Sequence, residues 1–61
     1  MRQIVDVDGV RALLALASRY QVYHLVHRPE DPLPSKKIGK QLRFDVEKVL
    51  KWFDRQPGRG Q

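Results

Sequence analysis

The sequence predicts a mainly α domain carrying one small β-hairpin, and three observations predict it. Apolar residues recur at helical spacing in three separate stretches of the chain. Pro29, Pro32 and Pro34 fall within six residues after the second stretch and force an extended or turning loop there. Residues 36–44 then alternate about Gly39 as a hairpin does.

The first helix is expected to begin after Asp6, a suitable N-cap, and to run through Val7, Val10, Leu14 and Ala17. Leu13 and Leu16 widen its apolar stripe and leave room for a self-association surface. Ala17-Ser18-Arg19-Tyr20 interrupts the pattern, and Val22, Leu25 and Val26 restart it at the i, i+3, i+4 spacing of a second helix. The turn between them contains no glycine; Ser18 is the expected N-cap of the second helix, which ends near Arg28. In the second strand of the hairpin, Leu42 and Phe44 face one way by the period of two, while Gln41 and Arg43 face the other. The third helix opens at Asp45 and carries Val46, Val49, Leu50 and Phe53, before Pro57 and Gly58 stop it. Val22, Leu25, Val26, Ile38, Leu42, Phe44, Val49, Leu50 and Phe53 are the expected core, with Trp52 capping it. Residues 1–56 are expected to form the domain and residues 57–61 a flexible basic tail.

Composition narrows the function classes. A chain of 61 residues buries only about 60% of its unfolded surface, too little for a large enzyme cleft. With no cysteine, it has no disulfide, thiolate metal site or thiol nucleophile. His24 and His27 lie three apart rather than at the i, i+4 spacing of a helical metal pair, so no metal and no cofactor is expected. The carboxylates are scattered over capping and surface positions, and catalysis is rejected. The uncharged runs are far shorter than the roughly 20 residues that cross a bilayer. A cytoplasmic protein is expected, nucleoid-associated when bound to DNA.

Charge points to the partner. Twelve Lys plus Arg stand against 7 Asp plus Glu, giving a net charge of +5 and a pI of about 10.1, the balance of a polyanion binder. The excess sits in residues 18–44, where Arg19, Arg28, Lys36, Lys37, Lys40 and Arg43 oppose Glu30 and Asp31, net +4. Taken alone, Lys36-Lys37 reads as a solvated strand edge. The order helix, tight turn, helix, loop, basic hairpin, helix changes that reading, because it is the order of a winged helix-turn-helix.

In such an arrangement, side chains at the start of the second helix lie nearest the base edges: here Ser18, Arg19, Tyr20 and Gln21, with Tyr23, His24 and Arg28 further along. Arg19 suits guanine and Gln21 suits adenine, each bidentate pair giving about 1–3 kcal/mol of discrimination. Free N–H groups of residues 18–21 suit a phosphate. Tyr23 divides evenly between packing and phosphate contact. Lys36, Lys37, Lys40, Gln41 and Arg43 on the wing would lie over phosphates or a narrow minor groove.

Over residues 4–54 the chain resembles the MerR-like winged-helix domains of phage and mobile-element excisionases (recombination directionality factors) and their AlpA-like regulatory relatives. The resemblance is carried by Ala12-Leu13-Leu14, by Ser18 with Val22-Tyr23-His24-Leu25-Val26, by Leu33-Pro34, Lys37-Ile38-Gly39-Lys40 and Leu42-Arg43-Phe44, and by Val49 with Trp52-Phe53. It departs from the family in lacking the glycine of the usual Leu-Gly-Val-Ser turn and in its longer, proline-rich loop at residues 28–32. The resemblance implies an accessory protein that binds repeated attachment-site DNA cooperatively, bends it and directs an integrase toward excision. A small AlpA-like transcriptional regulator is the alternative. A module docking an acidic protein through the same basic strip is a third reading.

Overall fold

The computed structural model describes residues 2–57. In chain order they form β1 (Ile4–Val5), α1 (Val7–Leu13), α2 (Arg19–Val26), β2 (Lys36–Ile38), β3 (Gln41–Asp45) and α3 (Val46–Arg55). The architecture is mixed α/β, with three helices and an antiparallel sheet in the order β1-β3-β2. The hairpin is therefore not isolated, as the sequence suggests, but the larger part of a three-stranded sheet. β1 has two residues and no readable period; its partner specifies it, through Ile4 opposite Asp45 and Val5 opposite Phe44. Gly9 of α1 permits the approach, since a Cβ built there would lie 2.6 Å from the Val5 Cβ.

α1 begins where expected, with the Asp6 carboxylate accepting from the Gly9 N–H at 2.9 Å. It ends earlier than expected. Leu14 is its C-cap and Ala15 adopts φ 56°, while Leu16 N–H donates to Arg11 O at 2.9 Å and Ala15 N–H to Ala12 O at 3.2 Å. This is a Schellman closure with alanine in the left-handed position, where an L side chain costs about 1–2 kcal/mol. Ala17 consequently lies outside the helix whose stripe it continues in the sequence.

Ser18 is the N-cap of α2 in backbone geometry, but its side chain makes no capping bond. Instead the Gln21 side-chain oxygen accepts from the Ala17 N–H at 2.8 Å, a displaced form of the reciprocal cap that a residue in the first turn supplies. α2 closes at Val26 with His27 as C-cap, two residues short of Arg28. The proline segment is then fastened at two points. Leu33 N–H donates to Leu25 O at 3.0 Å, and the Trp52 indole N–H donates to Asp31 O at 2.8 Å. In the hairpin, Gly39 takes φ 64° at the first position of a two-residue turn, the type II′ arrangement that follows strand twist.

Val7, Val10, Val22, Leu33, Phe44, Val49 and Trp52 form the buried core, with Leu25, Val26 and Leu42 partly buried against it. Three expected core residues are exposed: Ile38, Leu50 and Phe53. α3 offers two apolar stripes, Val46-Leu50-Phe53 and Val49-Trp52, and the second is buried because it delivers the largest apolar surface and gives the indole N–H a carbonyl partner. Ile38 pairs with Gln41, which places it on the sheet face opposite Leu42 and Phe44. Among the described residues no helix is long and apolar enough to cross a membrane.

Candidate nucleic-acid interface

The expected site residues fall into two clusters. Among the described residues no hydrogen bond or ion pair joins one to the other.

The first cluster is the start of α2, reached directly from the Ala15 turn. Arg19 occupies the first helical position, its Nε 3.3 Å from a carboxylate oxygen of Asp8 on α1, with both side chains largely exposed. Such a pair in water contributes about 0–1 kcal/mol and leaves the guanidinium available to a stronger partner. Tyr20, the most exposed large hydrophobic residue of the helix at 68%, meets His24 one turn later. Their hydroxyl and Nε2 are 2.8 Å apart and their rings meet edge to face, with centroids at 4.6 Å. Tyr23 is exposed at the margin of the same helix. The Ser18 hydroxyl, freed from capping by Gln21, remains at the helix N-terminus beside the first N–H groups. Leu16, Tyr20, Gln21, His24 and Leu25 together surround a shallow hollow with mainly apolar walls.

Arg28 does not belong to this cluster. It lies beyond the C-cap of α2, its Nε donates to Glu30 O at 2.7 Å, and its guanidinium sits 5.6 Å from the Trp52 ring centroid. Its geometry clamps the proline loop over α3, where a cation above an indole is favourable.

The second cluster is the hairpin. Register places Lys36 opposite Arg43, Lys37 opposite Leu42 and Ile38 opposite Gln41. Arg43 is held along its strand, donating to the Gln41 side-chain oxygen at 2.5 Å and to Leu42 O at 2.9 Å. Lys40 projects from the turn. Lys36, Lys37, Lys40 and Arg43 have no carboxylate within salt-bridge distance among the described residues, whose ion pairs use Asp8, Asp31 and Asp45 instead. Like charges directly opposite in a sheet are destabilising, so this strand pair carries an uncompensated positive field.

Sequence reasoning missed the extension of that field. Arg2 and Lys48 join Lys36, Arg43 and the Asp45 carboxylate around a groove that crosses β3 between β1 and β2, with Ile4 and Ile38 in its lining. Only the pairing of β1 brings Arg2 there, and a two-residue strand leaves no pattern from which to infer it. Arg2 is bound in turn to Asp45, with Nε 2.7 Å from the carboxylate. Burial works to raise the Asp45 pKa, but Arg2 and the N–H groups of Glu47 and Lys48 outweigh it and hold the carboxyl below its ordinary range. On α3, Arg55 and Gln56 hydrogen-bond the Asp31 carboxylate at 2.8 and 2.9 Å and likewise lower its pKa.

Among the described residues no group of three or more His, Cys, Asp or Glu could hold a metal ion. No family model, curated protein or solved structure matches the chain. Residues 58–61, most of the expected basic tail, lie outside the described residues.

Proposed function

We propose that the chain is a winged helix-turn-helix DNA-binding module, in which α1, the Ala15 turn and α2 are the helix-turn-helix and β2–β3 is the wing. It acts as an excisionase of phage or mobile-element type, binding attachment-site DNA in several cooperative copies, bending it and biasing an integrase toward excision. The observation that carries the reading is the hairpin, where Lys36 stands opposite Arg43 with Lys37 and Lys40 adjacent and, among the described residues, no carboxylate is paired to any of them. Phosphates would supply the missing counter-charge.

Arg19 offers the guanine contact, at an exposed helix start where exchanging Asp8 for a base edge costs little. The Ser18 hydroxyl and the first N–H groups of α2 suit a phosphate. A single module of this size covers roughly 600–1,000 Å² of its own surface, too little for high specificity, which is why repeated sites and contact between neighbouring copies belong to the reading.

The test is a gel-shift titration of the purified protein, at two salt concentrations, on a long fragment flanking its own gene. A ladder of slow complexes that merges cooperatively and weakens on Arg19→Ala is expected. A single discrete band would replace the excisionase by an AlpA-like operator-binding regulator. Absence of binding at low salt, with a stoichiometric complex on an acidic protein, would replace DNA altogether.

A further inference from the structure

We propose that the hollow at the start of α2 is a receptor for the major-groove edge of thymine, with the Gln21 amide N–H₂ donating to O4 and the apolar walls taking the 5-methyl group. The inference rests on the DNA-binding reading and states which base that surface selects.

Gln21 decides the polar half. The group facing its side chain at 2.8 Å is the Ala17 N–H, a donor, so the atom that meets it must be the amide oxygen. The orientation of the amide is thereby fixed, and its N–H₂ group is not engaged by the cap. Bidentate pairing with adenine requires an acceptor and a donor from the same amide, one for N6–H₂ and one for N7. The cap at Ala17 occupies one of the two lone pairs of that oxygen and fixes its direction, so the two N–H donors of the amide are the groups the cap leaves uncommitted. A donor suits the acceptors of the purines and O4 of thymine.

The hollow decides between these two. Leu16 and Leu25 form its base, each partly buried against the core. Tyr20 and His24 form one wall, where the Tyr20 hydroxyl and His24 Nε2 are turned to each other at 2.8 Å and the two rings supply apolar surface. Gln21 and Leu25, four apart on α2, stand on one face of the helix. A donor beside an apolar recess matches an acceptor beside a methyl group, and thymine alone among the four bases has that edge. A purine would set polar edge atoms against the recess and leave it wet.

The experiment uses the fragment of the gel-shift titration, prepared once with thymidine and once with deoxyuridine throughout. Deoxyuridine keeps O4 and every pairing group and loses only the methyl. Burying one methyl is worth about fourfold in affinity, and that loss is expected for each contacted thymine. Tyr20→Ala opens one wall at a largely exposed position and should bring the ratio of the two affinities toward one. The Lys36→Ala, Lys37→Ala, Lys40→Ala triple variant should weaken both affinities and keep their ratio. Equal wild-type affinity for the two fragments overturns the thymine receptor and leaves DNA binding intact. A ratio that survives Tyr20→Ala assigns the methyl contact elsewhere and overturns the site. No binding to either fragment at low salt overturns the DNA reading itself.

Discussion

The side chains at the start of α2 and those of the hairpin are both polar and exposed, yet they are held in opposite ways. On α2 three candidate readers have local partners: Arg19 has Asp8, Tyr20 has His24, and Gln21 has the Ala17 N–H. On the hairpin, Lys36, Lys37 and Lys40 have none among the described residues, while Arg43 is fixed by Gln41 and Leu42. Partners that fix orientation give discrimination, because a base edge rewards a group only in one geometry. Charges without partners give affinity, because a phosphate rewards any cation that can reach it. On the proposed DNA-binding reading, the two clusters would divide the work of one interface between geometry and charge.

The largest expected effect breaks the scaffold beneath the hairpin. Phe44, 1% exposed, anchors β3 to the core, and Phe44→Ala should cost about 3–5 kcal/mol of unfolding free energy by denaturant titration. Against a total of about 5–15 kcal/mol for any domain, that loss takes much or all of the fold. Arg19→Ala sharpens the division. It should reduce discrimination between specific and mixed-sequence duplex by about 1–3 kcal/mol in competition binding, while changing stability by about 0–1 kcal/mol because its Asp8 pair is exposed.

Smaller still is Ala15→Gly. It relieves the left-handed backbone at φ 56° and should stabilise the protein by about 1 kcal/mol, raising the thermal midpoint without changing affinity. The last is a pH effect at Asp31. Its folded pKa is lowered by hydrogen bonds from Arg55 and Gln56, so its contribution is present above the unfolded carboxylate value and is lost as pH falls through the folded one. The stability advantage of wild type over Asp31→Asn, measured by denaturant melts, should be present at neutral pH and shrink below about pH 4.

The helices were legible where a single residue type dictates geometry. Asp6 and Asp45 cap α1 and α3 as their positions suggest, and Gly39 turns the hairpin. Failures occur where tertiary structure chooses between equal local options. Leu50 and Phe53 have the right spacing for a core stripe, but α3 has a second stripe and Asp31 O offers a partner only to Trp52. The end of α1 was hidden because alanine, a strong helix former, occupies the left-handed position. β1 was hidden by its length. At the candidate interface, residue types and element placement were readable for Arg19, Tyr20 and the hairpin cations. The orientation of Gln21 and the diversion of Arg28 to Trp52 were not, because each depends on a partner that spacing alone does not supply.

The division of labour is tested most directly by the salt dependence of DNA binding, measured by fluorescence anisotropy on one duplex for wild type, Arg19→Ala and the Lys36→Ala, Lys37→Ala, Lys40→Ala triple variant. If about 5 phosphates are neutralised, the plot of log affinity against log salt should have a slope of about −4 to −5 for wild type. Loss of three hairpin cations should make it shallower by about 3, and Arg19→Ala should lower affinity with a change of at most about one in slope. Equal slopes for wild type and the triple variant would contradict the account, since the hairpin would then carry no phosphate contact.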